Sequence, residues 1–374
     1  MIIYLIVFLI SILLIHFAEI CKVRKEIKFF LILISLLLPS LLAGLRSYEI
    51  GSDTTGYGLY WFNQAIRFND WISFVKYAKG YSIDYGYASL LFIASRIGQD
   101  AHIFFFILSF LELSGLYVIV KRNCPREVIS FSFFVYFLLY FNDSLNNMRQ
   151  FPAVLIVLYS YRFIKEKKLI SFLLSVILAT FFHITAIFAL LLYPVAWMAR
   201  NRFSKLNLLL ITAIVLIACF SFEQIFNIIN QFGINLDRYE HYIYNAESGG
   251  KFIRLFLFGS ILIIFLFNKK KYEKYISNEA DIFLFYSTIS VAFTSLMFFG
   301  ITNYIIRVSY YFDFFVLIYL PSIIKFDKMK MTRDGKIKGG ASFIIVVALL
   351  LFYWFITYVI RNGAQTVPYK FYWN

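Results

Sequence analysis

Charge is what this sequence has least of. Lys, Arg, Asp and Glu make up 15% of its 374 residues while 61% are apolar, against about 25% charged in ordinary soluble domains. A water-soluble globule is excluded. The alternation of apolar and polar residues that marks a transmembrane β-barrel is absent as well. Cysteine is scarce: Cys21, Cys124 and Cys219 lie far apart, which suggests neither a disulfide framework nor a zinc site. There is no Walker A loop, no Rossmann glycine fingerprint and no HExxH, and no cluster of His, Cys and carboxylate has metal-ligand spacing. ATP-driven transport and metalloprotease chemistry therefore have no support, and no cofactor or metal is expected.

What the chain has instead is a series of apolar runs such as IIYLIVFLISILLIHF and ASFIIVVALLLFYWFITYVI. At 1.5 Å rise per residue these are long enough to cross a hydrocarbon core of about 30 Å as helices. The first run has no basic n-region before it and no small-residue cleavage site after it, so it reads as a retained helix. The net charge of +15 comes from Lys and Arg gathered in short clusters at 21–28, 121–127, 162–168, 200–205, 268–274 and 325–338. Clusters between apolar spans are a topology signal that points to an anionic leaflet, not to nucleic acid.

With all six clusters in the cytoplasm, spans fall at 3–19, 29–45, 101–120, 128–141, 149–164, 169–182, 184–199, 206–221, 252–267, 281–299, 304–324 and 341–360. The expected fold class is all-α, a polytopic membrane protein of about 12 transmembrane helices forming one domain over 1–374. The stretch YGYASLLFIASRI at 85–97 is too short to cross and is expected to be a re-entrant or interfacial helix. Polar outer loops are expected at about 46–100 and 222–251, with short outer turns near 142–148, 183 and 300–303.

Few arginines remain on the outer side, and four of them sit at helix ends: Arg46, Arg149, Arg254 and Arg307. Ionisable groups at membrane depth are functional candidates by default; snorkelling to headgroup phosphates is the bland alternative for each one. Taken together they suit a phosphate or pyrophosphate clamp. His183, in LATFFHITAIFALLLYP, is either a structural imidazole or a phosphate binder or general base. Asp53, in GSDTTGY, is either a helix cap or the carboxylate that orients or deprotonates a substrate. Asp84 and Glu247 are secondary candidates, read first as solvated loop charges. The tyrosines of the outer loops, Tyr57 among them, suit the interfacial aromatic belt and also suit sugar faces.

Six motifs in order carry a resemblance: R-x4-G-x-D-x3-Y (Arg46, Gly51, Asp53, Tyr57), DYGY at 84–87, NNMRQ at 146–150, FHITA at 182–186, RVSYYF at 307–312 and VPY at 367–369. This pattern resembles that of the EpsG-type exopolysaccharide membrane proteins, which are related to the Wzy O-antigen polymerases. Asp84 departs from it, standing where a glutamate would be expected. The resemblance implies a glycosyltransferase of the bacterial inner membrane that joins oligosaccharide repeat units carried on undecaprenyl pyrophosphate at the periplasmic face and releases undecaprenyl pyrophosphate. Further partners implied are a flippase and a chain-length regulator of the same pathway. On that reading Asp53, His183, Arg149 and Arg307 carry the reaction. Arg46, Arg254, Asn147, Gln150, Tyr57, Tyr310 and Tyr311 hold the substrate. A flippase for lipid-linked oligosaccharides, or a ligase using the same donor, is the alternative; a flippase should spread charge through the depth of the bundle and divide into two halves.

Overall fold

The computed structural model describes residues 1–200, 249–267, 303–326 and 340–373, together with a few single positions and a two-residue antiparallel strand pair, Lys330–Met331 with Ile337–Lys338. The expected spans at 206–221 and most of 281–299, and nearly all of the loop at 222–251 with Glu247, lie outside the described residues.

The chain starts with a helical hairpin, α1 (Ile2–Ile20) and α2 (Lys25–Gly44). Pro39 sits inside α2 and cannot donate to the carbonyl of Ser35. In hydrocarbon an unsatisfied carbonyl costs several kcal/mol, and here the Ser11 hydroxyl of α1 donates to that carbonyl at 2.5 Å. At the other end of the hairpin Glu19 takes Lys28 at 2.6 Å and the Tyr117 hydroxyl at 2.5 Å. The first two basic clusters therefore lie at one end of the bundle, as the charge pattern requires.

The segment after α2 is not the polar loop that the composition predicts. Residues 46–100 form a small helical lobe: a π-helical turn (Thr54–Leu59), then α3 (Tyr60–Arg67), α4 (Trp71–Gly80) and α5 (Tyr85–Ile97). Its own hydrophobic core includes Phe62, Phe74, Tyr87 and Leu91, closed from below by Phe104 and Phe105 of α6 (Ala101–Asn123). The short apolar stretch at 85–97 is thus a 13-residue helix packed into this lobe. Short amphipathic helices with tyrosines on one face read as loop in composition, because only one stripe of each is apolar.

Behind the lobe stand α7 (Ile129–Leu139), the single turn α8 (Phe141–Ser144), α9 (Gln150–Lys165) and α10 (Leu169–Thr180). A 3-10 segment, Ile184–Leu191, leads into α11 (Leu192–Arg200). After the undescribed stretches come α12 (Gly249–Phe267), α13 (Asn303–Asp313), α14 (Val316–Phe326) and α15 (Ala341–Trp354), which continues as a π-helix to Ile360. Four described helices are long and apolar enough to cross a membrane: α1, α2, α6 and α15 with its extension. The span expected at 304–324 is broken at Phe314–Phe315, and the one at 184–199 opens as a 3-10 helix. By contrast α7, buried over most of its length, is the middle of the bundle.

The C-terminal tail returns across the segment that follows α2. Backbone bonds join Ser47 to Lys370, Gly51 to Gln365 and Tyr372 to Leu45 at 2.9–3.0 Å. Asn142 donates to the Thr366 hydroxyl at 2.7 Å and Asn146 to the carbonyl of Ala364 at 2.6 Å. Gly51 lies between these segments with φ +91°, and a Cβ there would collide with Asn146 Oδ1. Gly51→Ala should therefore destabilise the protein by about 1–3 kcal/mol, read as a lowered unfolding temperature in detergent. An unchanged transition would contradict this packing.

Candidate functional site

Three segments far apart in sequence meet at the end of the bundle opposite the first two basic clusters. They are the turn after Gly51, the loop between α8 and α9, and the turn between α10 and the 3-10 helix. Asp53, Tyr57, Asn146, Asn147, Met148, Arg149, Gln150 and His183 line one cleft. The cleft is open on one side, and its described walls leave only about 10 Å³ of cavity, far below the roughly 300–1,000 Å³ of sites that engulf a drug-sized ligand.

Asp53 stands at the start of the π-helical turn, and its side chain makes no cap hydrogen bond. The expected cap is thus present in position only. Tyr57, one turn on, has its carbonyl held by the buried Tyr87 hydroxyl at 3.0 Å. The same turn lies tight on α6: a Cβ at Gly58 would run into the ring of Phe105.

Arg149 precedes α9, and its guanidinium carbon lies 4.0 Å from the centre of the Tyr57 ring. Its Nη1 is 3.6 Å from Asp84 Oδ2, both side chains being largely buried. Asp84 is accordingly not the solvated loop charge that the sequence predicts. It is 6% exposed and sits at the start of α5 as the counter-ion of Arg149. The positive end of the α9 dipole adds to the field, although the amides of Gln150 and Phe151 already donate to the Asn147 carbonyl. What is offered to an anion here is the guanidinium and the dipole, with those two N–H groups spent.

His183 caps the 3-10 helix and is 4% exposed. Its Nδ1 accepts from the backbone amide of Thr185 at 3.3 Å and lies 2.7 Å from the Thr185 hydroxyl. A backbone amide can only donate, so Nδ1 carries no proton in the neutral ring and the proton is on Nε2. The Thr185 hydroxyl is 3.0 Å from the Tyr311 hydroxyl. Tyr311 donating to Thr185, and Thr185 to His183, satisfies all three. The neutral ring of His183 thereby keeps its proton on Nε2, with Nδ1 occupied by Thr185.

Other candidates from the sequence lie elsewhere. Arg46 is 1% exposed and lines a second, inner cavity. Arg254 is sealed in the core, with Nη2 at 2.5 Å from Asp313 Oδ2 and Nη1 at 3.8 Å from Asp143 Oδ2. Its guanidinium carbon lies 4.6 Å from the Tyr310 ring centre. Tyr310 donates to Asp143 Oδ2 at 2.6 Å. Tyr310 and Tyr311 thus stand behind the cleft as supports. Arg307 belongs to α13, one turn before them; its side chain lies outside the described residues.

Residues that the sequence reading missed are Asn146 and Met148 in the cleft wall, and the acids Asp143, Asp313 and Glu112. The rule that singled out four arginines applies equally to these acids. A lone carboxylate among apolar residues needs a partner, and Asp313 in YYFDFF and Glu112 in FLELSG each fit that description.

One latch holds the front of the lobe. Asp100 accepts from Tyr48 at 2.8 Å and from the His102 amide at 2.9 Å, and His102 Nε2 is 3.0 Å from the Arg46 carbonyl. Burial raises the pKa of Asp100, but the bonds from His102 and Tyr48 outweigh it and keep the carboxyl below its ordinary range.

A family model described as the EpsG family matches residues 28–371 of the chain. No curated protein and no solved structure matches it.

Proposed function

This chain belongs to the EpsG family of membrane proteins of polysaccharide biosynthesis, and on that premise we propose that it is a polysaccharide polymerase. It joins repeat units carried on undecaprenyl pyrophosphate and releases undecaprenyl pyrophosphate. The observation that supports this most is the meeting of Asp53, Arg149 and His183 in one cleft. Their chemistry divides into the base, clamp and donor that a glycosyl transfer from a pyrophosphate requires.

In the proposed reaction the acceptor hydroxyl gives its proton to the Asp53 carboxylate as its oxygen bonds to the anomeric carbon of the donor. The bond from that carbon to the pyrophosphate oxygen breaks, and the electron pair leaves with the pyrophosphate. Arg149 meets the charge that develops there, in a site where a fixed guanidinium is worth more than in water. His183 donates from Nε2 to a phosphate or sugar oxygen. Asn147 and Gln150 orient the same oxygens. Asp53 then returns its proton to solvent.

The described charges do not suffice alone. Arg149 is partly offset by Asp84, and Asp53 is negative, so a dianionic leaving group needs a second cation. Arg307, carried on α13 beside Tyr310 and Tyr311, fills that role in this reading. On this reading the protein belongs to a bacterial cytoplasmic membrane, with about twelve crossings and the cleft facing the periplasm. The basic clusters support that orientation.

Deleting the gene and resolving surface polysaccharide on a gel tests the assignment. Loss of a polymerase leaves lipid core capped with a single repeat unit, whereas loss of a flippase or ligase leaves no unit attached. Ladders of ordinary length after deletion would sink the proposal.

A further inference from the structure

Glu112 lies halfway along α6, in an otherwise apolar stretch, and is 4% exposed. Among the described residues its Oε1 has no hydrogen-bond partner, and neither does Nε of Arg46. Both residues line the inner cavity, together with Ser109, Ser144 and Met148. A guanidinium and a carboxyl group thus border one inner space, with no direct ion pair between them among the described residues. Charges in a medium of low dielectric are unstable unless something solvates them. A polar cavity able to take a water-sized molecule, with a donor on one wall and an acceptor on the other, meets the conditions for bound water.

Arg46 has more to hold than its own charge. Its Nη1 donates to the carbonyl of Ala43 at 2.8 Å, and its Nη2 donates to the carbonyl of Leu145 at 3.1 Å and to the Thr54 hydroxyl at 3.5 Å. Its face lies 4.2 Å from the centre of the Phe105 ring. Thr54 follows Asp53, and Leu145 opens the loop that carries Asn147 and Arg149. Met148 lines the inner cavity and the outer cleft alike. The guanidinium is therefore the shared anchor of two of the three segments that make the cleft.

We infer that Glu112 is a positioning residue for the cleft: water held between its carboxyl group and Arg46 fixes the guanidinium, and Arg46 fixes the segments bearing Asp53 and Arg149. Its importance for turnover rests on the reading of the cleft given above; the positioning itself does not.

Amide hydrogen exchange on the full chain in detergent tests this. Glu112→Ala should speed exchange about tenfold or more in residues 46–54 and 145–149 and leave α9 and α10 as they were. Glu112→Gln, which keeps an acceptor for the bridging water, should restore most of the protection. Glu19→Ala, at the other end of the bundle, serves as the control and should leave both segments unchanged. Unaltered exchange in the two segments, or a rise spread evenly over the chain, would overturn the inference. Should Glu112→Ala fail to accumulate, Glu112→Asp withdraws the carboxylate by one methylene and gives the same comparison. Turnover is the separate arm: Glu112→Ala should lower kcat about tenfold with KM little changed. A local rise in exchange with full turnover would support the positioning and remove the cleft from the reaction.

Discussion

Arg149→Ala should abolish polymer while leaving the lipid-linked single unit intact, with turnover down on the order of 10²–10³-fold, the usual effect of removing one preorganised group that stabilises transition-state charge. The variant also strands Asp84, since the two side chains are 3.6 Å apart and both largely buried. Removing one partner of a buried pair commonly costs about 3–5 kcal/mol, so loss of activity by itself would be ambiguous. Adding Asp84→Asn removes the stranded charge. The double variant should regain thermal stability and still make no polymer. Recovery of activity together with stability would assign Arg149 a structural role only. Arg254 should behave differently. With Asp313 and Asp143 around it, Arg254→Ala should reduce the yield of folded protein before any effect on turnover can be measured.

The second large effect separates Asp53 from His183. With Nδ1 of His183 accepting from Thr185, its role toward the cleft is donation, which an amide can copy. His183→Gln should therefore retain turnover within about tenfold of the unaltered protein. Asp53→Asn keeps shape and loses basicity, and should lower kcat on the order of 10²–10⁴-fold, the range ascribed to general acid–base groups. Both measurements need donor-dependent chain extension by purified protein in detergent. The reverse order, with His183→Gln inactive and Asp53→Asn active, would exchange the two roles.

The site was partly legible in the sequence because charge is so rare there. In an apolar chain each arginine at a helix end stands out, and Asp53, Arg149 and His183 all fall beside short turns on one side of the charge pattern. Sequence fixes the level of such a residue along the bundle, but not the direction in which its side chain turns. Arg46 and Arg149 lie at similar levels, yet one faces an inner cavity and the other the cleft. Arg254 turns into the core because Asp313 and Asp143 await it there, contacts between residues 59 and 111 positions apart. In the lobe at 46–100 the sequence announces the helix at 85–97 and a helix after Asp53, but neither α4 nor the packing of all three into one body. α3 and α4 bury one stripe each and carry polar residues between, so no run of apolar residues announces them. The break at Phe314–Phe315 and the 3-10 opening of 184–191 are likewise local geometry within uniformly apolar sequence.

Whether this membrane protein forms a glycosidic bond is decided by reconstitution. Purified protein in vesicles is supplied with a synthetic undecaprenyl-pyrophosphate-linked repeat unit as both donor and acceptor, and products are followed by mass spectrometry. The account predicts one undecaprenyl pyrophosphate released for each repeat unit added to the growing chain. Movement of the intact lipid-linked unit across the bilayer, with neither released pyrophosphate nor a longer glycan, would contradict it.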